Sequence, residues 1–227
     1  MNKNAKANEK TESVLIKFCG IRSESDVYAV NQVFAERRGN EPKYVGFICV
    51  PGRRRFVEAD KILRLRELLD SRVRTVGVFQ DAPISAAAAV VESGAVDTVQ
   101  LHGNESAKYI RQLRETLDCC GGAEIVQAFG IRTEADVKAA NESSADIVLC
   151  DAFGGGTGKT FDWRLLAKIS RPYILAGGLN SQNVRSAVQK LHPFGVDVSS
   201  GIEDAAGAKN LQLMREFVHE ALNCVRG

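Results

Sequence analysis

The chain has 227 residues, 44% hydrophobic and 26% charged, with 30 basic and 28 acidic side chains for a formal net charge of +2. That composition is ordinary for a soluble globular protein, and the length allows one large domain or two small ones. No single-sign field argues for nucleic acid or an anionic membrane as a partner, and no run approaches the ~20 apolar residues of a transmembrane helix.

Residues 1–13, MNKNAKANEKTES, hold no large apolar side chain except Met1. They lack the apolar core of a secretory signal, have no Arg and carry Glu9 and Glu12, so a disordered polar tail on a cytoplasmic protein is expected. From residue 14 onward, short apolar runs alternate with longer amphipathic ones. The expected strands are Val14–Phe18, Tyr44–Cys49, Thr75–Phe79, Asp97–Leu101, Ile125–Phe129, Ile147–Cys150, Tyr173–Ala176 and Gly195–Val198. They are rich in Val, Ile and Phe, as strands buried on both faces should be. The expected helices between them are Ser23–Arg37, Glu58–Leu69, Ile84–Glu92, Glu105–Leu117, Thr133–Asn141, Trp163–Ile169, Ser181–Lys190 and Ala208–Val225.

Strand–helix alternation points to parallel βαβ units. Eight units over residues 14–227 fit a compact single-domain (β/α)8 TIM barrel, with an open doubly wound sheet as the rival. An internal repeat supports the barrel. Gly20-Ile-Arg-Ser-Glu-Ser-Asp-Val-Tyr-Ala-Val-Asn31 matches Gly130-Ile-Arg-Thr-Glu-Ala-Asp-Val-Lys-Ala-Ala-Asn141 at eight of twelve positions, 110 residues apart. Either the chain is two four-unit halves, or two helix starts converged on the same cap, with Ser23 or Thr133 followed three residues later by an acid.

In a parallel barrel, functional groups gather at the C-terminal strand ends. Strand 1 ends in Lys17-Phe-Cys19-Gly20. Cys19 is either a small core residue or a base, its thiol pKa lowered by Lys17 or by the helix that follows. After strand 2 come Arg53, Arg54 and Arg55, either a solvated patch or the source of a carboxylate clamp. Strand 4 ends in Gln100-Leu-His102, where a histidine serves either as acid–base group or as structure.

Strand 6 ends at Asp151, followed by a glycine-rich stretch through Lys159-Thr160. The phosphate-loop signature fails there, because the position five before Gly158 is Phe153, and the dinucleotide fingerprint fails at Lys159 and Phe161. Strand 7 opens into Gly177-Gly178 and strand 8 into Ser199-Ser200-Gly201. These are either ordinary turns or the backbone phosphate cradle of barrel loops 7 and 8. Six cysteines, at 19, 49, 119, 120, 150 and 224, form no C-x-x-C pair, and His102, His192 and His219 are scattered. Reduced thiols, no metal and no cofactor are expected. A thiol and a carboxyl across one mouth, without metal or dinucleotide, suit an isomerisation.

Seven blocks in order carry a resemblance: Ile16-Lys-Phe-Cys-Gly-Ile21, Gly46-Phe-Ile-Cys-Val-Pro-Gly-Arg-Arg-Arg55, Val76-Gly-Val-Phe79, Val99-Gln-Leu-His-Gly103, Gly155-Gly-Thr-Gly-Lys-Thr-Phe-Asp-Trp163, Leu175-Ala-Gly-Gly-Leu179 and Gly195-Val-Asp-Val-Ser-Ser-Gly-Ile-Glu203. With them the chain resembles the phosphoribosylanthranilate isomerase family of tryptophan biosynthesis, from Ile16 to the C-terminal helix. The resemblance implies a (β/α)8 barrel performing an Amadori rearrangement, with Cys19 as general base, Asp151 as general acid and Arg55 on the anthranilate carboxylate. It also implies phosphate held at Gly177, Gly178, Ser199, Ser200 and Gly201, with Lys17, Gln100, His102 and Asp197 lining the mouth. The expected partner is a phosphorylated small molecule, and the expected assembly a monomer or homodimer. The related histidine-pathway isomerase has Asp as its strand-1 base, which Cys19 opposes; a non-catalytic phosphate-binding barrel would need neither Cys19 nor Asp151. The glycine-rich loop after Asp151 is shorter than the pattern, and the tail is extra to it.

Overall fold

The computed structural model describes residues 14–36, 43–151 and 163–223; the expected tail at 1–13, the glycine-rich stretch within 152–162 and Cys224 lie outside the described residues. Eight parallel strands close into a barrel in chain order: β1 Leu15–Cys19, β2 Lys43–Ile48, β3 Val73–Phe79, β4 Thr98–Leu101, β5 Glu124–Gly130, β6 Ile147–Asp151, β7 Tyr173–Ala176 and β8 Gly195–Val198. The helices are α1 Glu24–Ala35, α2 Ala59–Glu67, α3 Ile84–Glu92, α4 Ala107–Asp118, α5 Glu134–Glu142, α6 Trp163–Leu166, α7 Val184–Leu191 and α8 Leu211–Leu222. Closure, which periodicity left open, follows from the β1–β8 pairing, where Lys17 stands beside Asp197. Carried once around the barrel, the register returns to β1 displaced by eight residues, the shear that gives eight strands their tilt.

Alternation along the strands sorts side chains into two cores. Leu15, Tyr44, Val76, Val126, Leu149 and Ile174 plug the lower barrel, with Phe194 against them. Phe18, Val45, Phe47, Val99 and Val148 point outward to meet the helices, and Phe18 stacks on Phe34 of α1 at 5.1 Å between ring centroids. Fully burying each such side chain stabilises by about 1.5–3 kcal/mol. The same parity turns Lys17, Cys19, Gly46, Gln100, Asp151 and Asp197 inward.

Most helix bounds fall within two residues of the periodicity; α6, α7 and α8 each start or stop three residues away, for a local reason. α6 ends at Leu166 rather than Ile169: Lys168 and Ile169 donate to Leu165 and Leu166, a tightening that leads into Pro172. α7 starts at Val184 rather than Ser181, because the Asn180 and Asn183 side chains bond the backbone amides of Gln182 and Asn180. α8 starts at Leu211 rather than Ala208, because Glu203 pairs with Lys209 and the Asp204 carboxylate ties the turn between them, leaving Asn210 to cap.

The internal repeat is realised as two capping boxes, Ser23/Asp26 on α1 and Thr133/Asp136 on α5. They differ in depth. Asp26 is 2% exposed and accepts from the amides of Arg22, Ser23 and Lys209, whereas Asp136 is half-buried and bonds only Arg132 and Thr133. Asp136→Ala should therefore cost about 1 kcal/mol in urea unfolding, and Asp26→Ala, which orphans buried amides, about 2–3 kcal/mol.

Candidate active site

Above the apolar plug, the upper barrel is lined by polar groups. Lys17, 1% exposed, donates to Asp197 Oδ1 at 2.7 Å across the β1–β8 seam. Cys19 is the next inward residue on β1, 7% exposed. Gly46 makes room for both: a Cβ there would stand 3.0 Å from Cys19 Sγ and 3.2 Å from Lys17 Nζ. Burial disfavours the Lys17 ammonium, but Asp197 and the neighbouring thiol outweigh it and hold the pKa above its ordinary value. Lys17 is thus a fixed positive charge beneath the sulfur.

The thiol itself departs from expectation. Burial is the strongest influence on Cys19 and pushes its pKa up; Lys17 and Lys209 pull it down, Asp197 pushes it further up, and the balance stays above the ordinary thiol value. The expected lowering by Lys17 is present as a contribution but does not win, because a sulfur this buried loses more hydration than one ammonium restores.

Around Cys19 the loops after β2 and β8 meet. The Ser199 hydroxyl donates to Cys19 O at 3.1 Å. Arg55 lays its stem over Gly20, whose φ of +80° and missing Cβ (which would stand 2.5 Å from Arg55 Cδ) leave that space open. The Arg55 guanidinium donates from Nε and Nη2 to the two oxygens of Glu203, at 2.6 and 2.9 Å. Arg54 reaches the same carboxylate at 2.7 Å, and Lys209, its side chain 2% exposed, at 3.1 Å. Burial would raise the Glu203 pKa, yet bonds from Arg55, Arg54 and Lys209 hold it at about 2. Of the three expected arginines, then, Arg55 leans into the mouth, Arg54 joins the same carboxylate, and Arg53 bonds Gln80 instead.

Opposite this cluster, Asp151 ends β6 with its side chain inward and half-buried, beside Gly130 of β5 and Ala176 of β7. β7 and β8 stand between it and Cys19. Their loops carry Gly177 and Gly178, at φ +94° and +60°, and the 3-10 turn Ser200–Ile202. The two loops touch so closely that a Cβ on Gly201 would fall 2.0 Å from Leu179 O. The amides of Gly178, Ser200 and Gly201 donate to no other backbone group among the described residues. On β4, Gln100 is 1% exposed, its Nε2 lies 3.3 Å from His102 Nδ1, and its Oε1 has no hydrogen-bond partner among the described residues. His102 is exposed at the rim. No group of three His, Cys, Asp or Glu side chains among the described residues could hold a metal, and no described helix is long and apolar enough to cross a membrane.

The comparisons with known proteins bear on this site. Residues 16–220 match the family model described as N-(5'-phosphoribosyl)anthranilate (PRA) isomerase. The chain belongs to the PRA isomerase family. It is 38% identical over 208 residues to N-(5'-phosphoribosyl)anthranilate isomerase of Lacticaseibacillus casei, covering 92% of this chain and 94% of the relative. A crystal structure of phosphoribosyl anthranilate isomerase with reduced 1-(o-carboxyphenylamino)-1-deoxyribulose 5-phosphate superposes with a TM-score of 0.77 at 29% identity, over 93% of this chain and all of that one. Monomers of the dimeric Thermotoga maritima enzyme superpose equally well, at 30% identity over the same shares. PRA isomerases are aldose–ketose isomerases of tryptophan biosynthesis, and the fold and family expected from the seven blocks are the ones found.

Two residues of the PRA isomerase mouth were not singled out from the sequence: Glu203 and Lys209. Glu203 closes the last of the seven blocks, and an acid ending a loop that faces three consecutive arginines was the available signal. Lys209 sits in what reads as a helix start and carries no signal. Because the Glu203 pKa falls from 4.5 unfolded to about 2 folded, its contribution to stability is complete above pH 4.5 and is lost as pH falls toward 2. The stability gap between the wild type and Glu203→Gln, followed by urea unfolding, should therefore be largest at neutral pH and shrink below pH 4.5.

Proposed function

We propose that the chain converts N-(5-phosphoribosyl)anthranilate to 1-(2-carboxyphenylamino)-1-deoxyribulose 5-phosphate, with Asp151 as general acid and Cys19 as general base. The observation that carries this is strand parity: the thiol on β1 and the carboxyl on β6 both face the barrel mouth, with the two glycine–serine loops between them. Asp151, protonated, donates to the furanose oxygen as the C1–O bond breaks, leaving an iminium at C1. Cys19 thiolate takes the proton from C2, and the released pair forms the enamine that tautomerises to the ketone.

A sulfur whose proton is held tightly is a strong base once it is lost, and Lys17 stabilises the thiolate at that moment. Arg55 binds the anthranilate carboxylate. Amides at Gly177, Gly178, Ser199, Ser200 and Gly201 hold the phosphate, with no lysine required. Anchoring both ends places C2 between acid and base. Gln100, His102 and Asp197 line the ribose between these anchors, and the unpartnered Gln100 Oε1 is an acceptor for a substrate hydroxyl. The same reading keeps residues 14–227 as one catalytic domain behind a polar tail at 1–13, a cytoplasmic setting, a monomer or homodimer, and no cofactor.

Cys19→Ser and Asp151→Asn should each lower kcat by about 10² or more with KM within about threefold, in a fluorescence assay following loss of phosphoribosylanthranilate. Near-full turnover by either variant would remove that residue from its role. Arg55→Ala should act mainly on KM, raising it about tenfold or more.

A further inference from the structure

We propose that Glu203 is a positioning residue for this isomerisation: it occupies one edge of the Arg55 guanidinium so that the other edge is presented to the substrate carboxylate, at a span set from the phosphate loop. The proposal rests on the carboxylate-binding role of Arg55 proposed above.

A guanidinium has five N–H donors arranged as two bidentate edges. Glu203 takes the side edge, from Nε and Nη2, leaving the end edge of Nη1 and Nη2 for a second carboxylate. The two partners are unlike in exposure: the Glu203 side chain is 7% exposed, whereas that of Arg55 is 25% exposed and stays reachable from the mouth. Glu203 is itself fixed. Its amide donates to Ser200 O at 3.0 Å, its backbone pairs with Lys209, and its carboxylate also accepts from Arg54 and Lys209. Lys209 ties the cluster back to Ser199 O at 3.0 Å. Glu203 therefore belongs to the same piece of chain as the Ser199–Gly201 amides, and Arg55 is referenced to that piece rather than to its own loop. From the other side, its stem rests on Gly20. One carboxylate among three cations leaves an excess of positive charge, suited to a substrate that is anionic at both ends. A simple surface ion pair would contribute little, and its geometry would be free to vary.

The test compares two ligands on the full chain by calorimetry. Reduced 1-(o-carboxyphenylamino)-1-deoxyribulose 5-phosphate carries both anions; ribose 5-phosphate carries only the phosphate. Glu203→Gln should weaken the first about tenfold and the second less than twofold, and should raise KM about tenfold with kcat within about threefold. Glu203→Asp, which keeps the charge but withdraws it by one methylene, should fall between and carries the test if Glu203→Gln melts below the assay temperature. Equal weakening of both ligands would make Glu203 a support of the phosphate loop, and no weakening of either would make the contact idle; each overturns the proposal. Arg55→Ala separates the premises. If it weakens the carboxylate-bearing ligand while Glu203→Gln does not, only the positioning role fails; if Arg55→Ala itself has no effect, both fail.

Discussion

The Lys17–Asp197 pair inside the barrel is the interaction on which the rest of the site depends. Taking two charges out of water costs several kcal/mol per ion, and an apolar pair of similar size would often serve stability as well or better. Its value lies in what it places under the sulfur. Asp197 keeps Lys17 charged where burial alone would discharge it, and Lys17 gives a thiol buried at 7% exposure a nearby positive charge. Without that charge, Cys19 is one more buried cysteine, like Cys150 on β6, whose pKa burial pushes up to about 12.

From this pair the mouth is built by close approach. Gly46 leaves room for Lys17 and Cys19 side by side, Gly20 for the stem of Arg55, and Gly201 for the carbonyl of Leu179. Gly20 and Gly201 each let two loops from different strands share one small volume, and Gly46 lets β2 pass close beside the Lys17 and Cys19 side chains of β1. Glu203 extends the principle by gathering Arg54, Arg55 and Lys209 onto one carboxylate. The groups proposed for proton chemistry and for anion binding are thereby mounted on one frame.

Much of this was legible in the sequence because the barrel uses period-2 alternation and sets several chemistry-bearing residues at strand ends. Cys19, Asp151, Asp197 and Gln100 each fall on the inward parity of a strand that the apolar pattern already marked. Strand boundaries agreed to within about two residues, since buried Val and Ile runs stop where the chain reaches the mouth. Where reasoning from residues fell short, the cause was tertiary. The direction of the Cys19 pKa depends on how completely neighbouring strands bury it, which a Lys two residues away does not reveal. The late start of α8 depends on Glu203 pairing with Lys209, and the role of Glu203 depends on a loop 148 residues away reaching it.

The most direct test of the central claim is the pH dependence of Cys19 alkylation by iodoacetamide, read at that residue by mass spectrometry, in the wild type and in Lys17→Met. If Lys17 stabilises the thiolate, Lys17→Met should move the profile to higher pH by at least one unit, about 1.4 kcal/mol, and turnover should fall with it. The double variant Lys17→Met/Asp197→Asn, which leaves no buried charge alone, should stay folded and show a smaller shift in the same direction. Superimposable profiles for the wild type and Lys17→Met would contradict the account.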